Sequence, residues 1–354
     1  MEKRILTAFY NMHCMARRNN KKKANIQPAE MTLALTIDAP TGFSTFTADI
    51  SQIASLVNRR FYRQGLNWAV GGFKVRLVET GLGSVSISKL PNSWTFANAW
   101  TKGFRTWQEM NKKAEGDDQV AGRFLDYKIY ADEIHHQAGY GANLLPFSGL
   151  GVLATPGEWI PSVMTIPIGG TGTAGLEIVG VGDNFPGAGS SGLNAVSLIQ
   201  GYANSRSLPM ISDKNTPADL SDTIGVTPEN WMSATSNEGV NQDSGVLHNI
   251  SEYDQPPYPF ENDGTHSTTM YPGGGFQLPG LALHDVTDLS ATTISGSSRL
   301  KGGNFPCGLV RFDIANYNPS PGGGEPPADL RLVILLDMVP GDHRGYLAES
   351  MLEM

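Results

Sequence analysis

The stretch MTLALTID, from Met31 to Asp38, is the clearest structural signal in the sequence. Apolar and small side chains alternate along it, with Leu33, Leu35 and Ile37 on one side and Thr32, Ala34 and Thr36 on the other. A period of two is typical of a strand with one buried face, because successive side chains of a strand point to opposite faces of the sheet. The stretch therefore predicts the first β-strand of a folded body.

Seven more segments have strand character, because each is rich in branched, leucine or aromatic residues and is bounded by Gly, Pro or Asn. They are Trp68–Glu79, Ser84–Leu90, Arg123–Tyr130, Val163–Ile168, Leu176–Val181, Gly308–Asp313 and Leu330–Met338. Helical patterns are fewer. They comprise a short helix that Asp49 caps and that ends near Arg60, an aromatic helix over Trp94–Lys113, and a candidate at Leu193–Ala203.

The composition favours a fold with many turns. The chain contains 41 Gly and 22 Pro, and only 17% of its residues are charged. Between residues 182 and 306 small polar residues, Gly and Pro dominate, which is typical of long surface loops. We therefore expect an all-β fold, a single eight-stranded jelly-roll β-sandwich with long surface loops and one or two short helices. Residues 30–354 would form this domain, with residues 182–306 as a loop-rich surface insertion.

Positive charge is concentrated at the N-terminus. Residues 1–29 form a basic arm, predicted to be disordered, with seven cations: Lys3, Arg4, Arg17, Arg18, Lys21, Lys22 and Lys23. Glu2 is the single acid there, so the arm has a net charge of about +6 on a chain whose net charge is −8. A cationic arm on an acidic body favours contact with a polyanion, nuclear-import recognition, or both. Within the body, Arg59, Arg60 and Arg63 form a second short basic group.

Several classes of protein are disfavoured. Cys14 and Cys307 are the only cysteines, so neither a disulfide framework nor a zinc site can be built from cysteine. Because no apolar run reaches about 18 residues, we expect no contact with a membrane, and the N-terminus is too polar for a secretion signal. We read the chain as intracellular.

The sequence Gly170–Gly175 (GTGTAG) has the spacing of a dinucleotide-binding loop. That loop must open a helix whose N–H groups bind the pyrophosphate, but Leu176–Val181 has the pattern of a strand. A flexible hairpin is therefore the better interpretation, and we expect no cofactor.

Two clusters invite other functions. Asp132-Glu133-Ile134-His135-His136 gathers possible metal ligands, but adjacent histidines of an extended segment point to opposite faces, which favours a polar strand end. In the aromatic helix, Trp100, Phe104 and Trp107 lie on one face, which favours packing in a core over stacking on nucleic-acid bases. We expect no metal site and no catalytic residue, since no nucleophile-elbow motif accompanies the Ser, Asp and His residues of the loops.

Four segments carry a resemblance to a known family. They are Leu90-Pro91-Asn92-Ser93-Trp94, Asn98-Ala99-Trp100, Leu125-Asp126-Tyr127-Lys128-Ile129-Tyr130 and the ending Val339–Glu349 (VPGDHRGYLAE). With these segments the chain resembles capsid proteins of small viruses with circular single-stranded DNA genomes, the CRESS-DNA group. The basic arm contains fewer arginines than the tails typical of that group.

The resemblance implies a single jelly roll, an icosahedral shell often of sixty identical subunits, sequence-independent binding of single-stranded DNA, and entry into the host nucleus. The host receptor is unknown. Sixty arms would carry about 360 positive charges, against roughly 1060 phosphates in a strand long enough to encode the chain. Further cations must therefore contribute, and Arg59, Arg60 and Arg63 are the candidates.

Three other interpretations remain open. A jelly-roll carbohydrate-binding module would use Trp231, Tyr253 and Tyr258 as sugar platforms. An enzyme would need a deep pocket with convergent polar groups. The capsid protein of an RNA virus would have the same fold and a similar arm.

Overall fold

The computed structural model describes residues 28–115, 126–147, 152–157, 159–168, 172–182, 187–207, 231–234, 280–292, 296–319 and 328–354. This part of the chain is mostly β, with antiparallel sheets that curl into a half-barrel. No described helix is long and apolar enough to cross a membrane. The cations predicted in the arm, Lys3 to Lys23, lie outside the described residues.

The strands follow one another with few helices between them. They are β1 (Thr32–Ala39), β2 (Gly42–Asp49), β3 (Leu66–Leu77), β4 (Leu82–Lys89), β5 (Met164–Ile168), β6 (Gly172–Val179), β7 (Ala195–Ser197), β8 (Ala282–Ser290), β9 (Ser297–Pro306), β10 (Leu309–Asn316), β11 (Leu330–Met338), β12 (Pro340–Gly341), β13 (Gly345–Tyr346) and β14 (Ala348–Ser350). The helices are α1 (Ile50–Asn58), α2 (Trp94–Glu115), α3 (Glu133–Ala138), α4 (Leu198–Ser207) and α5 (Trp231–Ala234), with a 3-10 turn at Tyr140–Ala142.

Two sheets contain most of the strands. The five-stranded sheet has the order β1-β11-β3, with both β9 and β14 also paired to β3. The four-stranded sheet has the order β2-β10-β4-β8. All of these pairings are antiparallel, as in β1 and β11, where Leu35 lies opposite Ile334. A smaller sheet has the order β5-β6-β7, in which β6 and β7 run parallel.

The main hydrophobic core lies between the two large sheets. Alternate residues of their strands point into it, among them Leu35 of β1, Val75 of β3, Ile87 of β4, Phe312 of β10 and Ile334 of β11, all fully buried. Burial of such side chains contributes about 1.5–3 kcal/mol each. The alternation predicted at Met31–Asp38 is confirmed, since Leu33, Leu35 and Ile37 are buried and their neighbours are more exposed.

A second core lies under α2. It includes Phe96, Trp100, Ile178 and Trp231, and it joins α2 to the small sheet and to α4. Ser93 precedes the helix, and its hydroxyl accepts a hydrogen bond from the backbone N–H of Phe96 at 3.4 Å. The predicted aromatic helix is confirmed, and so is the short helix that Asp49 caps.

Some predictions about the elements are wrong. Residues 126–129, predicted as part of a strand, form no regular structure, and Tyr130 makes only an isolated bridge to Val179. The range 182–306 is not purely an insertion, because β8 and β9 belong to the two large sheets. The described helices also exceed the one or two short helices expected, since α2 alone spans 22 residues.

Candidate nucleic-acid interface

Helix α1 positions the basic group of the body. The Asp49 carboxylate begins the helix, accepting hydrogen bonds from the backbone N–H groups of Ser51 and Gln52. It is fully buried, and burial raises its pKa although the Ser51 hydroxyl, the Trp159 indole and the Gln64 amide all donate to it. This cap fixes the start of α1, and nine residues later the chain emerges at Arg59.

Arg59 ends α1 in an unusual backbone conformation. Its φ is 53°, in the left-handed region, and its N–H bonds to the carbonyl of Ser55. Helices commonly end in this conformation, but the residue there is usually Gly or Asn. For other residues the left-handed conformation costs about 1–2 kcal/mol of conformational energy. Arg59, Arg60 and Arg63 are all exposed after the turn. The backbone at Arg59 is therefore strained, and glycine would relieve this strain.

The described base of the basic arm lies beside the basic group of the body. The Arg60 guanidinium donates a hydrogen bond of 3.0 Å to the carbonyl of Pro28, the first described residue of the basic arm. Two residues further on, the N–H of Glu30 donates to the side chain of Asn58 at 3.0 Å. The arm is therefore attached to the body directly beside the end of α1.

Arg344 belongs to the same place, and sequence reasoning missed it. Its guanidinium donates to the carbonyl of Phe61, and its own carbonyl accepts from the Tyr62 hydroxyl at 3.0 Å. Burial raises the pKa of Tyr62, and the positive charges of Arg60 and Arg344 reduce that rise. Burial lowers the pKa of His343, and the positive charges of Arg344 and Arg63 lower it further. We call Arg59, Arg60, Arg63 and Arg344 the arginine corner.

The only signal for Arg344 was its position in the C-terminal segment VPGDHRGYLAE. That segment folds back beside α1, where the Tyr346 hydroxyl accepts from Asn58 and donates to the carbonyl of Glu30. Asn58 and Tyr346 are 288 positions apart, so local sequence patterns cannot connect them. The arginine corner lies next to the base of the basic arm, and guanidinium groups are well suited to bind phosphate groups.

The Asp132–His136 cluster serves the fold. The expected strand end is wrong, because residues 133–138 form α3, with Asp132 as its cap. The Nδ1 atom of His135 accepts from the N–H of Ala131, so its Nε2–H donates to Asn143 at 2.7 Å. His136 lies 2.8 Å from Glu177, and both are buried. Among the described residues no group of three ligands is placed to hold a metal ion.

The other two motifs also have structural roles. The strand expected after the glycine-rich loop is confirmed, since residues 172–179 form β6 and pair antiparallel with β5, while Gly170 and Thr171 lie outside the described residues. On α2, the Trp100 and Phe104 rings stack with centroids 4.9 Å apart, and both rings contact Tyr127 in the second core. The interpretation of these aromatic residues as core is confirmed.

One cavity of about 520 Å³ lies beside α1, lined by Phe61, Tyr62 and Trp159 among others. Several polar side chains that line it bond to other groups of the protein. The Ser51 hydroxyl donates to Asp49, the Gln52 amide donates to the carbonyl of Pro156, and Lys128 pairs with Asp126 at 3.1 Å. No histidine is among its described lining residues. The arrangement supports structural packing more than acid–base chemistry.

No protein-family model, no curated protein and no solved structure matches this chain.

Proposed function

We propose that this chain is a viral capsid protein that self-assembles into an icosahedral shell, with T=1 symmetry and sixty copies, around a single-stranded DNA genome. The proposed locations are the virion and, during assembly, the host nucleus. The arm and the arginine corner would contact the DNA without sequence preference, and no reaction is proposed.

The observation that carries the proposal is the pairing of the first half of the chain with the second. β1 pairs with β11, β2 with β10, β3 with β9 and β4 with β8. This pattern is that of one long hairpin rolled into two facing sheets of four strands. It supports an eight-stranded jelly roll, an architecture that occurs in viral capsids and in lectins. β14 and the small sheet are additions to those eight strands.

The cations favour a capsid over a carbohydrate-binding module. The arginine corner surrounds the point where the basic arm joins the body, which suits a polyanion better than a neutral sugar. Of the proposed sugar platforms, Trp231 is fully buried and donates its indole N–H to the carbonyl of Ser197, so it is no platform. Tyr253 and Tyr258 lie outside the described residues.

Exposed apolar residues support contacts between identical subunits. The two edge strands of the four-stranded sheet are β2 and β8. Phe43 on β2 is 88% exposed, and Leu283 and Val286 on β8 are 66% and 58% exposed. Large exposed apolar side chains at sheet edges favour aggregation unless a partner covers them. In a closed shell neighbouring subunits would cover them.

The proposal is tested by expressing the chain alone and imaging the purified protein by negative-stain electron microscopy. We expect uniform spherical shells that carry nucleic acid, detected by the ratio of absorbance at 260 and 280 nm. A monodisperse monomer or dimer over a wide range of salt and pH would refute the capsid function.

The nature of the genome needs a separate test. An RNA virus capsid would use the same arm and the same arginine corner, since both bind phosphates. Nucleic acid recovered from virions should be degraded by a DNase that acts on single strands and should resist RNase. The opposite result would assign the shell to an RNA virus.

A further inference from the structure

The solvent face of the five-stranded sheet carries a cluster of cations that sequence patterns did not indicate. Lys74 and Arg76 on β3 and Arg299 and Lys301 on β9 are one or two residues apart along adjacent strands. Successive residues of a strand alternate between faces, and Phe73, Val75 and Leu300 point into the core, so these four cations share the opposite face. We call them the cationic face.

The register places like charges side by side. Lys74 is directly opposite Arg299. Lys301 is directly opposite Gly72, which lies two positions before Lys74 on β3. Directly opposite side chains have Cβ atoms about 5 Å apart, and alternate residues of one strand are about 7 Å apart. Like charges opposite one another in a sheet are destabilising, so this arrangement indicates an anionic partner.

Two described acidic residues, Asp285 and Asp337, lie near the cluster, and neither forms an ion pair with its side chains. No ion pair between described side chains includes Lys74, Arg76, Arg299 or Lys301. Asp285 accepts a hydrogen bond from the backbone N–H of Lys301, which lowers the pKa of Asp285, and its charge lies near that lysine. Asp337, opposite Gly72, is hydrogen-bonded to the Thr32 hydroxyl. Arg76, Arg299 and Lys301 are exposed, and Lys74 is half-buried.

The basic arm joins the same sheet. Pro28 lies four residues before β1, and the order β1-β11-β3-β9 puts β9 three strand spacings from β1, or about 14 Å. A polyanion held by the arm and the arginine corner is therefore within reach of the cationic face. The rows of charge, with spacings of about 5 and 7 Å, suit successive phosphates of an extended single strand better than one isolated anion.

We infer that the cationic face, formed by Lys74, Arg76, Arg299 and Lys301, binds the phosphate backbone of the packaged single strand. This inference rests on the proposed function, because it assumes that the polyanion is the genome. The cationic face would be a binding surface on the sheet, separate from the arm. In the shell, this face of the sheet would then point towards the nucleic acid.

The test compares two double variants that each remove one arginine and one lysine. Arg299→Gln with Lys301→Gln changes the cationic face, and Arg105→Gln with Lys112→Gln changes exposed residues of α2. Unassembled subunits are titrated with a fluorescent oligo(dT) at several salt concentrations. Each phosphate contact to a single strand contributes about 0.7 to the slope of log affinity against log salt concentration, so the first variant should lower the slope by about 1.4.

The control variant should keep the wild-type slope. Equal slopes in wild type and the cationic-face variant would overturn the inference, and so would an equal loss in both variants, since binding would then follow total charge. Shells of the cationic-face variant should also contain less nucleic acid. If instead they keep their nucleic acid and lose binding to heparin, the face is directed to an external sulfated polysaccharide and the inference is wrong.

Failure of the proposed function is recognised separately. If the wild-type chain forms no shells under any condition, the capsid function fails, while the titration of subunits still decides whether the cationic face binds a single strand. Circular dichroism and thermal unfolding of each variant confirm that the substitutions leave the fold intact.

Discussion

His135 shows how one buried side chain determines the response of the fold to acid. Its Nδ1 accepts the N–H of Ala131, so a second proton would have to occupy the position of that bond. Its pKa is lowered from 6.5 to about 4, chiefly by burial and to a smaller extent by the charge of His136, while the hydrogen bond with Asn143 and the charge of Asp132 act in the opposite direction. The folded protein therefore holds this imidazole neutral.

A histidine with a lowered pKa in the folded state contributes stability above its unfolded pKa of 6.5, and this contribution is lost as pH falls from 6.5 through about 4. The shift corresponds to about 3 kcal/mol of unfolding free energy at low pH. Urea unfolding of wild type and His135→Gln at pH 7 and pH 4 measures it. The variant should lose less stability on acidification, and an equal loss in both proteins would contradict the assignment.

Arg59 offers a second test at the residue scale, because its backbone and its side chain have opposite effects. Arg59→Gly relieves the left-handed strain and should raise the unfolding free energy by about 1 kcal/mol. It also removes a cation, so the salt slope of oligo(dT) binding should fall by about 0.7.

Arg59→Ala is the matched control, since it removes the same charge without relieving the strain. It should reduce DNA binding as Arg59→Gly does, without the gain in stability. A glycine variant that binds DNA like wild type would exclude position 59 from the interface.

At the scale of elements, predictability followed the number of buried side chains in each strand. β1, β3, β4 and β11 bury alternate residues, and their many apolar residues made them predictable as strands. β8 buries only Leu289 among its nine residues, and β9 consists largely of polar residues and glycine, so neither has such a pattern. These edge strands are specified by the register of their neighbours, which a single sequence does not reveal.

The candidate site was predictable to a similar extent. Arg59, Arg60 and Arg63 are close in sequence and were expected to act with the arm, and the structure places Arg60 against its base. Arg344 and the cationic face bring together residues from distant parts of the chain. Only the pairing of β3 with β9 and the return of the C-terminal segment make them neighbours.

Gly302 tests the register on which the cationic face depends. A Cβ atom there would lie 2.3 Å from the backbone oxygens of Val70 and Gly71. The backbone of β3 can move away from this atom only at a cost in free energy, so Gly302→Ala should destabilise the fold by about 1–3 kcal/mol. It should also weaken oligo(dT) binding, because β9 would shift relative to β3. Thermal unfolding and the DNA titration measure both effects.

Gly72→Ala is the control on the facing strand, where the added atom would meet the Leu300 oxygen at 3.4 Å, an ordinary contact. It should change stability much less. Equal stability of Gly302→Ala and wild type would show that β9 does not approach β3 as described.

At the scale of the whole molecule, the two halves of the chain pair strand by strand, and Arg60 lies against the base of the basic arm. In the proposed shell the sheets would form the wall, and the exposed apolar residues at the sheet edges would contact neighbouring subunits. Because the whole chain has a net charge of −8, we expect the arginine corner and the cationic face to attract a polyanion more strongly than the rest of the surface does.

Removal of residues 1–27 separates assembly from packaging. The proposed shell contacts lie in the body, so the truncated chain should still assemble. Its subunits lose seven cations, so the salt slope of DNA binding should fall by up to about 5. The absorbance ratio of purified shells should move towards that of protein alone. An unchanged nucleic-acid content would remove the arm from the account and leave the body cations as the packaging surface.

The mass of the assembled particle tests the central claim most directly. Sixty copies of a 38.1 kDa chain give a protein shell of about 2.3 MDa. Charge-detection mass spectrometry of particles treated with nuclease and high salt should find a single species near that mass, whereas a dominant species of one to a few subunits would contradict the account.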